Sequence, residues 1–299
     1  MRTCHWRPRI AAALIAMTVV APAVQAAETT LDRIRQTGHL VIGYRSSSVP
    51  LSYLVDGKPV GYSIDVCLKM ADAITRELGL KSLAIDYREV SSASRLPAVQ
   101  GGLVDLECGS TTNTAQRREL VAFTISHFIA TSRLLVRSAD PFEKLEDLDG
   151  RKVASTAGTT NIASLKREAE LRGVKLEVPE ARDHAQAVKW VIERRVDAFA
   201  MDDVLLFGLR ATSPRPAELK VIGKPMTIEP YSIAFARGEP QLKRLADATL
   251  RQLIVSGELR RMYDRWFMHP IPPNGATLDM PPSALLLDSW HYPSDFVPG

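Results

Sequence analysis

From about residue 30 the chain alternates short apolar runs with stretches in which apolar residues recur every three or four positions. His39 to Tyr44 (HLVIGY) reads as a buried strand. From Ser63, the residues Ile64, Leu68, Ala71, Thr75 and Leu78 fall near one helical face, and Gly79 stops that helix. Leu83 to Val90 reads as a strand, Leu96 to Gln100 as a short helix closed by Gly101 and Gly102, and Leu103 to Glu107 as a strand. Near residue 150 the rhythm restarts. A turn at Asp147 to Gly150 precedes a strand at Lys152 to Ser155, and Gly158, Thr159 and Thr160 open a helix that runs to about Arg172. A strand at Leu176 to Val178, a helix at His184 to Arg194, a strand at Val196 to Met201 and a helix from Asp203 follow. The last periodic elements are a strand at Ile233 to Ala236 and helices at Pro240 to Val255 and Glu258 to Trp266.

Repeated strand–helix units predict an α/β protein of two lobes, each a mostly parallel sheet flanked by helices. The first lobe takes residues 27–132 and 229–269, and the second takes 133–228. The chain then crosses between lobes twice, near Thr131 to Val136 and near Thr227 to Ala234. Residues 270–299 are proline-rich and aperiodic, which predicts an extended tail on the surface.

The N-terminus changes the reading of charge. Arg2, Arg7 and Arg9 precede an apolar run from Ile10 to Val20, and Val24 and Ala26 offer small residues for cleavage after Ala26. Residues 1–26 therefore read as a secretory signal peptide, too short to span a bilayer and destined for the periplasm. Its removal takes away three arginines and no acid, so the formal charge of +4 falls to +1. Nothing in that balance points to nucleic acid. Only Cys67 and Cys108 remain, and an oxidising compartment permits either a bridge or two buried thiols. No metal-ligand spacing or cofactor motif is present.

Candidate chemistry sits where strands end, because open α/β sheets bind ligands beyond the carboxyl ends of their strands. The first-lobe exits carry Arg45 with Ser46 to Ser48, then Ser91, Ser92 and Arg95, then Cys108 to Thr112 with Arg117 beyond. The second-lobe exits carry Gly158 to Thr160, His184, and Asp202 with Asp203. Any one of these residues has a plain reading as a cap, a turn or a surface charge. Together, three arginines, several hydroxyls, a histidine and an aspartate suit a small ligand with more negative than positive charge. Arginine matches carboxylates with a planar fork, and aspartate accepts from an ammonium.

The stretches HLVIGYRSSSVPLSY, SRLPAVQGGLVDLECGSTTNTAQRRE, AGTTN, RDHAQA, AMDDVLL, VIGKP and WFMHPIPP closely resemble the bacterial glutamate/aspartate-binding proteins of ABC importers. That group lies within the polar amino-acid family of periplasmic solute-binding proteins, and the likeness runs in order from about Leu31 to Pro273. The resemblance implies a type II two-lobe binding-protein fold that closes on its ligand about two hinge crossings. It implies that Ser110, Thr112, Arg117 and Thr160 hold the ligand's α-carboxylate and that Asp202 takes its ammonium. Arg45, Ser92, Arg95 and His184 match the groups that hold the side-chain carboxylate. The implied partners are L-glutamate or L-aspartate and an importer's membrane subunits, with the binding protein itself a monomer. Ser63 after Gly61 and Tyr62 departs from the acidic residue of many family members, but the glutamate/aspartate group shares it. Two other readings use the same clamp: a sensory binding protein, and a periplasmic dehydratase. The dehydratase needs a proton donor aimed at a leaving group, and among the exit residues only His184 offers one.

Overall fold

The structure is a computed structural model and describes residues 1–3 and 28–296; the signal-peptide reading of residues 1–26 falls almost wholly outside them. The described chain opens with α1 (Thr30–Thr37), capped by the Thr29 side chain and ended by Gly38 in the left-handed conformation. Strand β1 (His39–Tyr44) follows, then a small antiparallel sheet of β2 (Ser47–Ser48), β3 (Ser52–Val55) and β4 (Lys58–Val60). Next come α2 (Tyr62–Glu77), β5 (Ala84–Glu89), α3 (Arg95–Gln100), β6 (Leu106–Glu107), α4 (Ala115–Arg118) and β7 (Ala122–Phe123).

Strand β8 (Phe128–Arg137) leads into the second half, which adds β9 (Arg151–Thr156), α5 (Thr160–Leu171), β10 (Leu176–Glu177) and β11 (Glu180–Ala181). It continues with α6 (His184–Ile192), β12 (Ala198–Asp202), α7 (Asp203–Ala211) and β13 (Leu219–Ile222). Strand β14 (Ile228–Tyr231) returns to β15 (Ala234–Phe235), α8 (Pro240–Val255), α9 (Glu258–Phe267) and α10 (Ala284–His291).

Besides that small sheet, two larger sheets result, one per lobe. The first has the order β5-β1-β6-β15-β7, and the second β10-β9-β12-β8-β13 with β11 beside β9 and β14 beside β8. The α/β two-lobe expectation holds, and the strand directions are mixed. Strands β5, β1 and β6 run parallel, whereas β15 lies antiparallel to β6 and β7. In the second sheet β9 is parallel to its neighbours, and β8 is antiparallel to β12, β13 and β14. The reason is the connection. A parallel neighbour needs a crossover helix, but β8 enters directly from the other lobe and so runs against the strands built there.

Strands β8 and β14 pair as a two-stranded ribbon, with Ile228 opposite Thr131 and Tyr231 opposite Phe128. An aromatic cluster anchors its first-lobe end. Phe128 stacks on Phe267 at 5.2 Å between centroids and on Tyr231 at 5.9 Å, and Tyr62 meets Phe267 edge-on at 5.5 Å. Cys67 on α2 and Cys108 after β6 form a disulfide with Cα atoms 6.3 Å apart, settling the choice between bridge and thiols. This ties α2 to a strand exit of the first lobe.

The C-terminal segment departs from the expected extended tail. Between Pro282 and Pro293 the run from Ala284 forms α10, with Ser283 capping its first turn. Leu286 and Trp290 are buried, α10 packs on β8, and Trp290 meets Tyr263 edge-on at 5.7 Å. Prolines flank the helix rather than interrupt it, which is why composition concealed it.

Candidate functional site

The first-lobe half of the site follows from three adjacent parallel strands ending on one edge. Arg45 leaves β1, and its backbone N–H donates to Ser52 Oγ at 2.9 Å. Its Nη2 donates to Ser92 Oγ, beyond β5, at 2.8 Å. Arg95 begins α3, and its Nη1 donates to the Ser110 carbonyl, beyond β6, at 3.0 Å. Ser110 Oγ donates to Ser48 Oγ at 3.2 Å. Arg117 sits in the turn capped by Thr114, and its Nη1 donates to the Thr112 carbonyl at 2.9 Å. Both Arg45 and Arg95 are only 2% exposed. Every acceptor just named for a guanidinium is neutral.

The second-lobe half is built at the exits of β9 and β12. His184 opens α6 behind its cap Asp183, and its Nδ1 lies 2.8 Å from Thr156 Oγ1. Thr160 opens α5 and donates to Glu229 Oε2 at 2.9 Å. Asp202 ends β12; its Oδ1 accepts from Asn161 Nδ2 at 2.9 Å, and its Oδ2 accepts from the Tyr231 hydroxyl. Asp203, the neighbour that the sequence left beside it, faces β8 and accepts from Thr131.

The halves meet. Arg117 Nη2 donates to the Gly158 carbonyl at 3.3 Å. A Cβ built on Gly158 would lie 2.6 Å from Ala93 Cα, so backbone meets backbone there. On the flank, a Cβ on Gly208 of α7 would lie 2.2 Å from the Val49 carbonyl oxygen. Thr112, Thr160 and Glu229 share the lining of a cavity of about 930 Å³.

Electrostatics couple Arg45, Arg95, Arg117, His184 and Asp202 to charged neighbours. Burial, then Arg95, shift Arg45 and Arg117 below the ordinary guanidinium range, to about 9 and about 10, against acidic neighbours such as Glu107 that raise them. Both remain cations at neutral pH. Burial, with Arg45 and Arg95, pushes His184 well below its usual value, so its imidazole is neutral. Burial and the nearby Glu229 raise Asp202 to about 7, against the hydrogen bonds from Tyr231 and Asn161 that lower it. Three buried nitrogens of the candidate residues have no partner, Arg45 Nη1, Arg95 Nε and His184 Nε2, and beside them one buried acceptor, Glu107 Oε1, also lacks one. A Thr156 hydroxyl that donates to Nδ1 leaves the His184 proton on Nε2, making all three nitrogens donors. Buried donors of this kind suit an anion.

Asn161, Tyr231, Glu229, Thr156 and Glu107 also belong to this surround, and sequence reasoning did not single them out. Asn161 ends the AGTTN stretch, and Glu107 is the buried last residue of β6, accepting from Thr111 Oγ1 at 2.5 Å. Tyr231 and Glu229 carry no local signal. Among the described residues no group of three His, Cys, Asp or Glu side chains could hold a metal, and no helix is long and apolar enough to cross a membrane.

Known proteins resemble this chain. The L-glutamate/L-aspartate-binding protein of Pseudomonas aeruginosa is 38% identical over 288 residues, covering 96% of this chain and 94% of its own length. The glutamate/aspartate import solute-binding protein of Escherichia coli is 34% identical over 274 residues, covering 91% of each. A solved structure of an ancestral arginine-binding protein bound to glutamine matches with a TM-score of 0.67 at 27% identity, covering 77% of this chain and 98% of that one. An ancestral amino acid-binding protein, a precursor of cyclohexadienyl dehydratase, matches with a TM-score of 0.67 at 25% identity, covering 80% and 99%. Residues 40–269 match the family model of the bacterial extracellular solute-binding proteins, family 3, and the chain belongs to that family.

Proposed function

We propose that this chain is a periplasmic binding protein that captures L-glutamate and L-aspartate between its lobes and delivers them to the membrane subunits of an ABC importer. The observation that carries the reading is the set of unpartnered buried nitrogens, Arg45 Nη1, Arg95 Nε and His184 Nε2, gathered in one site. These atoms would take the distal carboxylate, with Ser92 supporting Arg45. Arg117, Ser110, Thr112 and Thr160 would hold the α-carboxylate, and Asp202 the ammonium. The glutamate/aspartate relatives, similar along nearly their whole length, support the same ligand class.

In this reading residues 27–132 and 229–269 move against 133–228 about the β8–β14 ribbon. Ligand shifts the equilibrium because only the closed arrangement engages both halves. The work is binding rather than catalysis. A neutral His184 whose Nδ1 is engaged by Thr156 is poised to donate a hydrogen bond and is a poor acid. Titration calorimetry of the mature protein against a panel of amino acids tests the proposal. Glutamate and aspartate are expected to bind at least about a hundredfold more tightly than glutamine, since an unpaired buried charge costs on the order of 3–5 kcal/mol. Glutamine binding as tightly as glutamate would overturn it.

A further inference from the structure

Asp202 is held from two directions that lead to the two strands joining the lobes. On one side Asn161 Nδ2 donates to Oδ1 at 2.9 Å, and Ser132 Oγ of β8 donates to Asn161 Oδ1 at 2.6 Å. On the other side the Tyr231 hydroxyl of β14 donates to Oδ2. All four residues are buried. Both carboxylate oxygens are thereby oriented by neutral side chains.

Tyr231 does more than donate. Its main chain bridges Thr112, and its neighbours hold the same loop: Asn113 N–H donates to the Pro230 carbonyl at 2.8 Å, and Ser232 N–H donates to the Thr111 carbonyl at 3.1 Å. The residue therefore carries the first-lobe Ser/Thr loop on its backbone and the second-lobe aspartate on its side chain. Its ring is fixed by stacking on Phe128.

We propose that Tyr231 and Asn161 are positioning residues for ligand capture: they fix Asp202 where the ligand ammonium must meet it, and Tyr231 couples that carboxylate to the hinge strand and the Thr112 loop. This rests on the reading of Asp202 as the ammonium acceptor. The charged and titratable groups that act on Asp202 are Glu229 and Tyr231 on β14, Asp203 at the start of α7 and Arg117 from the first lobe. Glu229 and Asp203 favour the protonated carboxyl, and the Tyr231 and Asn161 hydrogen bonds favour the carboxylate. Loss of either donor should thus extend protonation of Asp202 to higher pH, where it no longer attracts an ammonium.

The test is calorimetry on mature wild type, Tyr231→Phe, Asn161→Ala and Asp202→Asn, from about pH 5.5 to 8.5. The two ligands are L-glutamate and glutarate, which keeps both carboxylates and lacks the ammonium. Tyr231→Phe preserves the stacked ring, so the fold is retained. It is expected to weaken glutamate by about tenfold or more at pH 7 and glutarate by less than about threefold. It should also move the acid-side loss of glutamate binding to higher pH, and Asn161→Ala should move it the same way. Equal losses for the two ligands in Tyr231→Phe, or an unmoved acid limb in both variants, would overturn the proposal. Asp202→Asn separates the two levels. If it weakens glutamate while Tyr231→Phe does not, only the positioning role fails; if Asp202→Asn leaves glutamate unaffected, the ammonium assignment fails and the proposal falls with it.

Discussion

Replacing Arg95 by alanine separates the role of the distal carboxylate from general damage to the site. Arg95 is 2% exposed, donates to the Ser110 carbonyl at 3.0 Å and keeps its Nε unpartnered. Two losses follow from the truncation. The Ser110 carbonyl loses its donor whichever ligand binds, so that loss cancels when two ligands are compared. The distal carboxylate of glutamate loses a buried, charge-assisted partner, worth about 2–5 kcal/mol, whereas the amide of glutamine loses a hydrogen bond to one charged group, worth about 1.5–3 kcal/mol. Taken at like ends of the two ranges, the difference of about 0.5–2 kcal/mol corresponds to a fall in the glutamate-to-glutamine affinity ratio of about twofold to thirtyfold. Removing Arg95 also relieves its repulsion of Arg45 and Arg117, which places the result toward the lower part of that range. The fold should survive, since the variant removes one of several like charges rather than a packed apolar group. Calorimetry with both ligands gives the ratio, and a thermal melt gives the stability. Equal fold losses for glutamate and glutamine would refute the assignment of Arg95 to the side chain.

Two further expectations follow from contacts away from the arginines. Gly158→Ala introduces a methyl group 2.6 Å from Ala93 Cα at a backbone φ of +76°, so it should oppose closure and weaken glutamate by about tenfold or more; unchanged affinity with unchanged small-angle scattering on ligand addition would count against that contact. Burial alone pushes His127 down to about 3, against an unfolded value near 6.5, so the stability it preserves is full above about pH 6.5 and is lost as pH falls. At pH 5 that loss is about 2 kcal/mol, and His127→Gln should flatten the pH dependence of urea melts by about that amount between pH 7 and 5.

What the sequence made legible depends on which physical rule decides each feature. The HLVIGY strand and the Pro240–Val255 helix were readable to their ends, because apolar periodicity and terminal signals agree there. The third strand was shorter than its apolar run, Leu106–Glu107 rather than Leu103 to Glu107. Asp105 explains the difference: its side chain accepts from the Val41 N–H at 2.8 Å and from Arg33, taking the place of one ladder bond, while its own N–H still donates to the Val41 carbonyl at 2.9 Å. Strand direction in the second sheet was not readable, since it depends on β8 arriving without a crossover helix.

The same distinction runs through the site. Parallel strands that share an edge send their exit residues to one place, so Arg45, Arg95 and the Ser110–Thr112 loop could be grouped before their contacts were seen. The clamp on Asp202 obeys no such rule. Tyr231 reaches it because β14 pairs antiparallel with β8, and Asn161 reaches it because the first turn of α5 packs beside β12. Both placements arise from tertiary contacts, and a one-residue slip of β14 would turn Tyr231 to the opposite face. The groups that orient Asp202 thus lie where local sequence carries least information.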